Sequence, residues 1–246
     1  MDTSIKVAEL KAARGAGWIA EAFKLFRQAP LAWIALCSAW LVITLALLLV
    51  PLVGQAIANF LQPVFFASFA IAAYKQAAGE RVLMADLFAG FRRNLRALVN
   101  LGVLILVAVL AIVFAMGLLG LPVTVPAGDT ASIEEYIESF RGKEWQIAMT
   151  FFAIVLVKSA VWFAPPLIAF HGMGAIEAIR WSVYAAISNV GAMIVYGAIL
   201  FAIFFVAFIP AWLGLIVAIP VMAISSYTGY REVFEATPTP ATPTPG

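Results

Sequence analysis

The sequence predicts an all-α polytopic membrane protein, six transmembrane helices with three interfacial amphipathic helices, and three observations carry that expectation. Of 246 residues, 64% are hydrophobic and only 11% are charged, against about 25% charged in an average soluble domain. The apolar residues gather into six runs, most of them near the roughly 20 residues that a helix needs to cross a hydrocarbon core about 30 Å thick. None of the runs alternates with period two, so a membrane barrel is excluded, and a backbone that satisfies its own hydrogen bonds in lipid is then helical.

The spans are expected at Leu31–Val53, Asn59–Tyr74, Leu98–Leu119, Ile147–Phe170, Val190–Ile209 and Leu213–Tyr227. The second is short and interrupted by Gln62 and Pro63. Residues 1–234 read as one six-span domain. The Thr-Pro repeats of 235–246 offer nothing larger than alanine to bury after Phe234 and predict a disordered tail. No cleavable signal peptide is evident, because the first apolar run follows a mixed charged segment with Asp2, Lys6, Glu9, Lys11 and Arg14. The single cysteine, Cys37, lies in the first span and forms no intramolecular disulfide.

Charge placement sets the expected orientation. Lys6, Lys11, Arg14, Lys24 and Arg27 precede the first span, and Lys75, Arg81, Arg92, Arg93 and Arg96 separate the second from the third. Arg180 and Arg231 fall on the same side, while only Arg141 and Lys143 fall on the other. The positive-inside rule then places both termini in the cytoplasm. A basic cytoplasmic face favours anionic lipid headgroups as partners. No basic soluble domain is present to bind nucleic acid.

A unit recurs three times: an amphipathic segment, a span, an outer turn and a span with proline. In Trp18–Gln28, the residues Trp18, Ile19, Ala22, Phe23 and Phe26 share one helical face. In Leu83–Leu98 the stripe is Met84, Leu87, Phe88, Phe91, Leu95 and Leu98. In Ala175–Asn189 it is Ile176, Ile179, Val183 and Ile187. Such helices lie in the headgroup plane. Pro63, Pro165–Pro166 and Pro220 predict kinks in the second span of each unit. Gly120–Glu144 is the sizeable external connection. Its Ser132-Ile133-Glu134-Glu135 pattern predicts a capped short helix with Ile133, Tyr136, Ile137 and Phe140 on one face, closed by Arg141 and Gly142. That helix reads either as resting on the membrane surface or as a lid.

Gly17-Trp18-Ile19-Ala20-Glu21-Ala22-Phe23-Lys24-Leu25-Phe26-Arg27-Gln28-Ala29-Pro30, Asp86-Leu87-Phe88-Ala89-Gly90-Phe91 and Trp162-Phe163-Ala164-Pro165 together resemble a family of uncharacterised proteobacterial six-span integral inner-membrane proteins. More loosely, the repeated unit resembles the membrane domain attached to some glycerophosphodiester phosphodiesterases. Their catalytic barrel is absent, so their activity does not carry over. The resemblance implies an inner-membrane address and six spans, and it supplies no catalytic residues.

Lys158 is the unusual residue. It lies about half-way along the fourth span, and no Asp or Glu occurs in any span to pair with it. An intramembrane lysine is costly and marks a functional hypothesis. It reads either as a snorkelling structural residue or, with Trp162 beside it, as a contact for an anionic solute or lipid. The single His171 has no companions for a metal site. Ser38, Ser159, Ser225 and Ser226 lack a nucleophile context, and no phosphate loop or His-Glu-x-x-His occurs. No cofactor and no catalytic residue is expected. The leading reading is therefore a non-enzymatic membrane protein that organises or senses the envelope or binds a membrane partner. The alternative is a small-solute or lipid permease with a path near Lys158, which a water-accessible cavity reaching that residue would favour.

Overall fold

The structure, a computed structural model, describes residues 5–51, 53–122, 130–209 and 212–234. Among these, all regular structure is helical. The helices are α1 (Arg14–Gln28), α2 (Pro30–Leu48), α3 (Val53–Ala77), α4 (Leu95–Leu118), α5 (Thr130–Glu138), α6 (Glu144–Val161), α7 (Ala164–His171), α8 (Ala175–Ser188), α9 (Val190–Phe208) and α10 (Leu215–Phe234), with a 3₁₀ segment at Met84–Arg92.

Five helical stretches are long and apolar enough to cross a membrane: Pro30–Leu48, Val53–Ala77, Leu95–Leu118, Glu144–His171 and Val190–Phe208. The expected sixth, α10, falls outside that set. Its second half carries Ser225, Ser226, Thr228, Arg231 and Glu232, and this polar half is the part packed inside the protein. The second expected span is longer than the sequence suggested, because α3 begins at Val53 and runs through Pro63 without interruption. Pro220 likewise lies within α10. Pro165 and Pro166 behave differently. The helix stops at Val161 and restarts at Ala164, so both prolines sit in the first turn of α7. There their missing N–H groups cost nothing. The Phe163 N–H at the break donates to Ser182 Oγ of α8 at 3.0 Å.

The core lies at one end of the bundle. Buried residues occupy the start of α2 (Trp33, Leu36, Cys37), the second half of α3, the start of α4 (Ala97 to Ile105) and the second half of α10. α2, α3 and α10 each touch α1, and α4 packs against α3. Gln76 ties this end together: its Oε1 accepts the Trp33 Nε1–H at 2.7 Å, and its Nε2 donates to the Leu25 carbonyl at 2.8 Å. The far halves of the helices keep their side chains outward, and α6 buries none at all. Phe151, Phe152, Phe201 and Phe205 are each more than 60% exposed. A helix that is apolar all round and unburied in protein is one solvated by lipid.

The three amphipathic segments dock in different ways. α1 turns Trp18, Ala22 and Phe26 inward as expected, against α9 and α10. In the second segment Leu87 and Leu98 are buried, but Met84, Phe88 and Leu95 face outward. In α8 the inward face is made of small residues, Ala175, Ala178, Ser182 and Ala185, while Ile176 and Ile187 point away at 62% and 70% exposure. Small side chains let the α8 backbone approach its neighbours closely, and the bulky ones are left for the bilayer. A short helix is present in the external connection as α5, but it begins at Thr130, which puts Ser132 inside its first turn rather than at a cap; Tyr136 packs edge-on against Phe140 at 5.1 Å and Arg141 pairs with Glu138 at 3.1 Å. The turn before it at 123–129, the side chains of 130–133 and the tail at 235–246 lie outside what the structure describes.

Candidate functional site

Lys158 and Trp162 are one helical turn apart but have different surroundings. Lys158 is exposed on α6, three residues before the helix ends, and forms no ion pair with any described residue. It lines none of the described pockets. Although the helix breaks at Trp162, Lys158 stays about half-way along the Glu144–His171 stretch that is long and apolar enough to cross a membrane. Trp162 turns toward the protein. Its ring lies 5.4 Å from that of Tyr196, and its Nε1 is buried with no hydrogen-bond partner.

Tyr196 belongs to a junction where α1, α7, α9 and α10 meet. Its hydroxyl shares a hydrogen bond of 2.6 Å with Ser225 Oγ. Trp18 lies 5.5 Å from Tyr196 and 6.1 Å from Phe163. The Trp18 Nε1–H donates to Glu232 Oε2 at 3.0 Å, and Thr228 Oγ1 donates to the Trp18 carbonyl at 2.8 Å. Around the rim, Arg14 pairs with Glu232 and with Glu21, and Glu21 also pairs with Arg231 at 2.5 Å. The Arg14 pKa is raised, first by its hydrogen bond to Glu232 and then by that carboxylate's charge. These contacts hold α1 across the ends of α9 and α10. The hydroxyls, aromatic rings and carboxylates of the junction cross-brace the helices.

A second cross-brace joins Lys75 to Asp86 at 2.7 Å, where Asp86 also accepts the Leu83 N–H at 2.8 Å. His171 Nε2 is 2.8 Å from the Tyr230 hydroxyl. No cluster of three or more metal-ligating side chains occurs among the described residues.

Several structural determinants escaped sequence reasoning. Asn189 clamps the N-terminal segment, accepting the Leu10 N–H at 2.8 Å and donating to the Ala8 carbonyl at 3.0 Å. Its signal was a lone amide between two apolar helices. Gly15, Gly90 and Gly102 permit backbone approaches that any Cβ would block. Gly214 likewise abuts α9 and Gly191 touches Ala12, whereas Gly197 faces open space.

The largest described concavity is an apolar groove of about 1020 Å³ bounded by α1, α9 and α10. All its lining residues are apolar, among them Ala20, Phe23, Ala202, Val206, Gly214 and Val217.

Over 210 residues the chain is 31% identical to a probable inner membrane protein of Burkholderia thailandensis, covering 81% of this chain and 76% of that one. It belongs to that family of inner-membrane proteins. The helical architecture and the apolar outer surfaces agree with this membership: this is an integral inner-membrane protein. No family model matches the chain, and no solved structure matches it. The looser resemblance to the membrane domain of glycerophosphodiester phosphodiesterases therefore finds no support in these comparisons.

Proposed function

We propose that this inner-membrane protein is non-enzymatic and works by binding a partner inside the bilayer, with anionic lipid on its cytoplasmic side. The observation that carries the reading is the uneven packing. One end is cross-braced by ion pairs, amides and aromatic rings, while the far halves of α2, α4, α6 and α9 present continuous apolar surface. Such surface is available to lipid and to other membrane helices.

In this reading α10 crosses as the sixth span, shielded by its neighbours rather than bathed in lipid. The braced end is cytoplasmic, with both termini, because the basic residues concentrate there. α1, the 3₁₀ segment and α8 lie in the headgroup plane, as the outward Ile176 and Ile187 of α8 support. The permease alternative needed a cavity reaching Lys158. That residue instead stands exposed on the outside of α6, about half-way along the Glu144–His171 stretch.

The test reconstitutes the full chain in phosphatidylglycerol-containing vesicles and measures release of small anions and scrambling of labelled lipid. No flux above protein-free vesicles is expected for wild type or Lys158→Met. A flux that wild type supports and Lys158→Met abolishes would establish the permease instead. Periplasm-active reporter fusions after Phe234 and near Gly128 test orientation, and activity from the C-terminal fusion would invert it.

A further inference from the structure

We propose that the groove between α1, α9 and α10 seats an acyl chain of an anionic phospholipid whose headgroup is held by Lys24 and Arg27. This rests on the reading above that the α1 end is cytoplasmic, and it names the lipid site which that reading leaves open.

The groove has the dimensions and chemistry of a chain-binding slot. Its volume of about 1020 Å³ is at the upper end of small-ligand pockets. Along α9 the lining runs from Ala198 to Ile209. At 1.5 Å per residue that is about 17 Å, close to half of a hydrocarbon core about 30 Å thick. One leaflet's acyl chain has that reach. Small residues widen the slot, while Val206 and Val217 flank it. The far end is pinched shut: a Cβ on Gly214 would lie 2.5 Å from the Ala207 Cα, so the α9–α10 hairpin closes there on backbone contact.

The open end lies under α1, where Phe23 lines the slot yet stays 43% exposed. On the same helix Lys24 follows Ala20 by one turn, and Arg27 follows Phe23 by one turn, so each cation projects beside a lining residue. Both are exposed, and neither pairs with a described acid. The neighbouring acids are already committed, Glu21 to Arg14 and Arg231, and Glu232 to Arg14. An apolar slot that ends at two free cations is complementary to a chain ending in a phosphate. A second copy of this chain would bring the same two cations to the same rim, so like-charge repulsion opposes that occupant. Free phosphate has no use for an apolar slot.

The experiment is native mass spectrometry of the full chain purified from mixed micelles of phosphatidylglycerol and phosphatidylethanolamine. Wild type should retain phosphatidylglycerol in preference to phosphatidylethanolamine. Ala202→Phe, which fills the slot, should lose most of the bound lipid of both kinds. Lys24→Gln with Arg27→Gln changes only exposed side chains and should leave the fold intact. It should keep lipid but lose the preference. Each cation near an anionic headgroup is worth about a fivefold change in affinity, so the pair accounts for about twenty-five-fold. Thermal unfolding of each variant identifies any that misfolds, in which case the exposed double variant decides the matter alone. Undiminished lipid on folded Ala202→Phe, or an undiminished preference in the double variant, overturns the proposal. So does a wild-type dimer that Ala202→Phe converts to monomer with its lipid intact. Ion flux in the vesicle assay would bear on the proposed function without altering the lipid occupancy measured here.

Discussion

Substituting Gly102 by alanine tests the packing of α3 on α4. The added Cβ would lie 2.7 Å from the Phe60 Cα and 2.7 Å from its carbonyl oxygen, with the Asn59 carbonyl at 3.0 Å. All three are backbone atoms, so no side chain can swing aside, and the two helices must part. Overpacking of this kind costs about 1–3 kcal/mol. The loss is sharper between membrane helices, whose association depends on close van der Waals contact rather than on exclusion of water. Alanine's better helix propensity returns about 0.5–1 kcal/mol, leaving a net loss of about 1–2 kcal/mol. For a chain of this size that is a fall in Tm of about 2–8 °C. Gly197→Ala is the matched control. A Cβ there meets nothing within 4 Å, so only the propensity gain remains and Tm should hold or rise by about 1–4 °C. The assay uses Cys37, the chain's single cysteine, which is 5% exposed in the core. Labelling by a thiol-reactive dye during heating in detergent reports unfolding of the core directly. Equal shifts for the two variants, or a more stable Gly102→Ala, would refute the close approach of α3 and α4.

Further outcomes follow from other contacts. Trp33→Phe deletes the donor to Gln76 and leaves a buried amide oxygen unpaired, at a cost of about 1–3 kcal/mol. Gln76→Leu also removes the donor to the Leu25 carbonyl, so the double variant should lose less Tm than the two single losses added together, and strict additivity would mean the Trp33–Gln76 bond contributes nothing. Glu232→Ala strips the buried Trp18 N–H and Arg14 of their acceptor, so it should lower Tm well beyond Glu232→Gln, which can still accept from Trp18. Phe91→Asp puts a charge against Phe65, whose ring centroid lies 5.5 Å away, and should cost about 2–3 kcal/mol. Arg93→Glu, at an exposed position, should cost far less, and similar yields of folded protein from both would contradict the assigned faces. Lys158→Met should leave Tm unchanged or raised, since an exposed, unpaired charge beside lipid is removed. A large fall would give Lys158 a structural partner.

Composition and periodicity were enough to determine a helical membrane protein, because a bilayer accepts few backbone geometries and asks for long apolar runs. The inward faces of α1, with Trp18, Ala22 and Phe26, were also legible, since a polar stripe of Glu21, Lys24 and Gln28 marked the opposite side. Where apolar residues surround a helix completely, the pattern carries no direction. For α8 the aliphatic stripe was read as the contact face, yet Ala175, Ala178 and Ser182 are the buried residues, while Ile176 and Ile187 face out and only Ile179 of the isoleucines packs partly against the core. Between lipid and protein both faces are apolar, so closeness of backbone decides, and that is a property of the neighbour. The same reasoning separates Gly102 from Gly197. Likewise, Lys158 stood out as a charge in an apolar run. Only the structure showed its side chain to stand on an outer surface, half-way along the Glu144–His171 stretch. The lipid-sized groove had no sequence signature at all, because it is formed by three helices distant in the chain and lined by residues that any span contains.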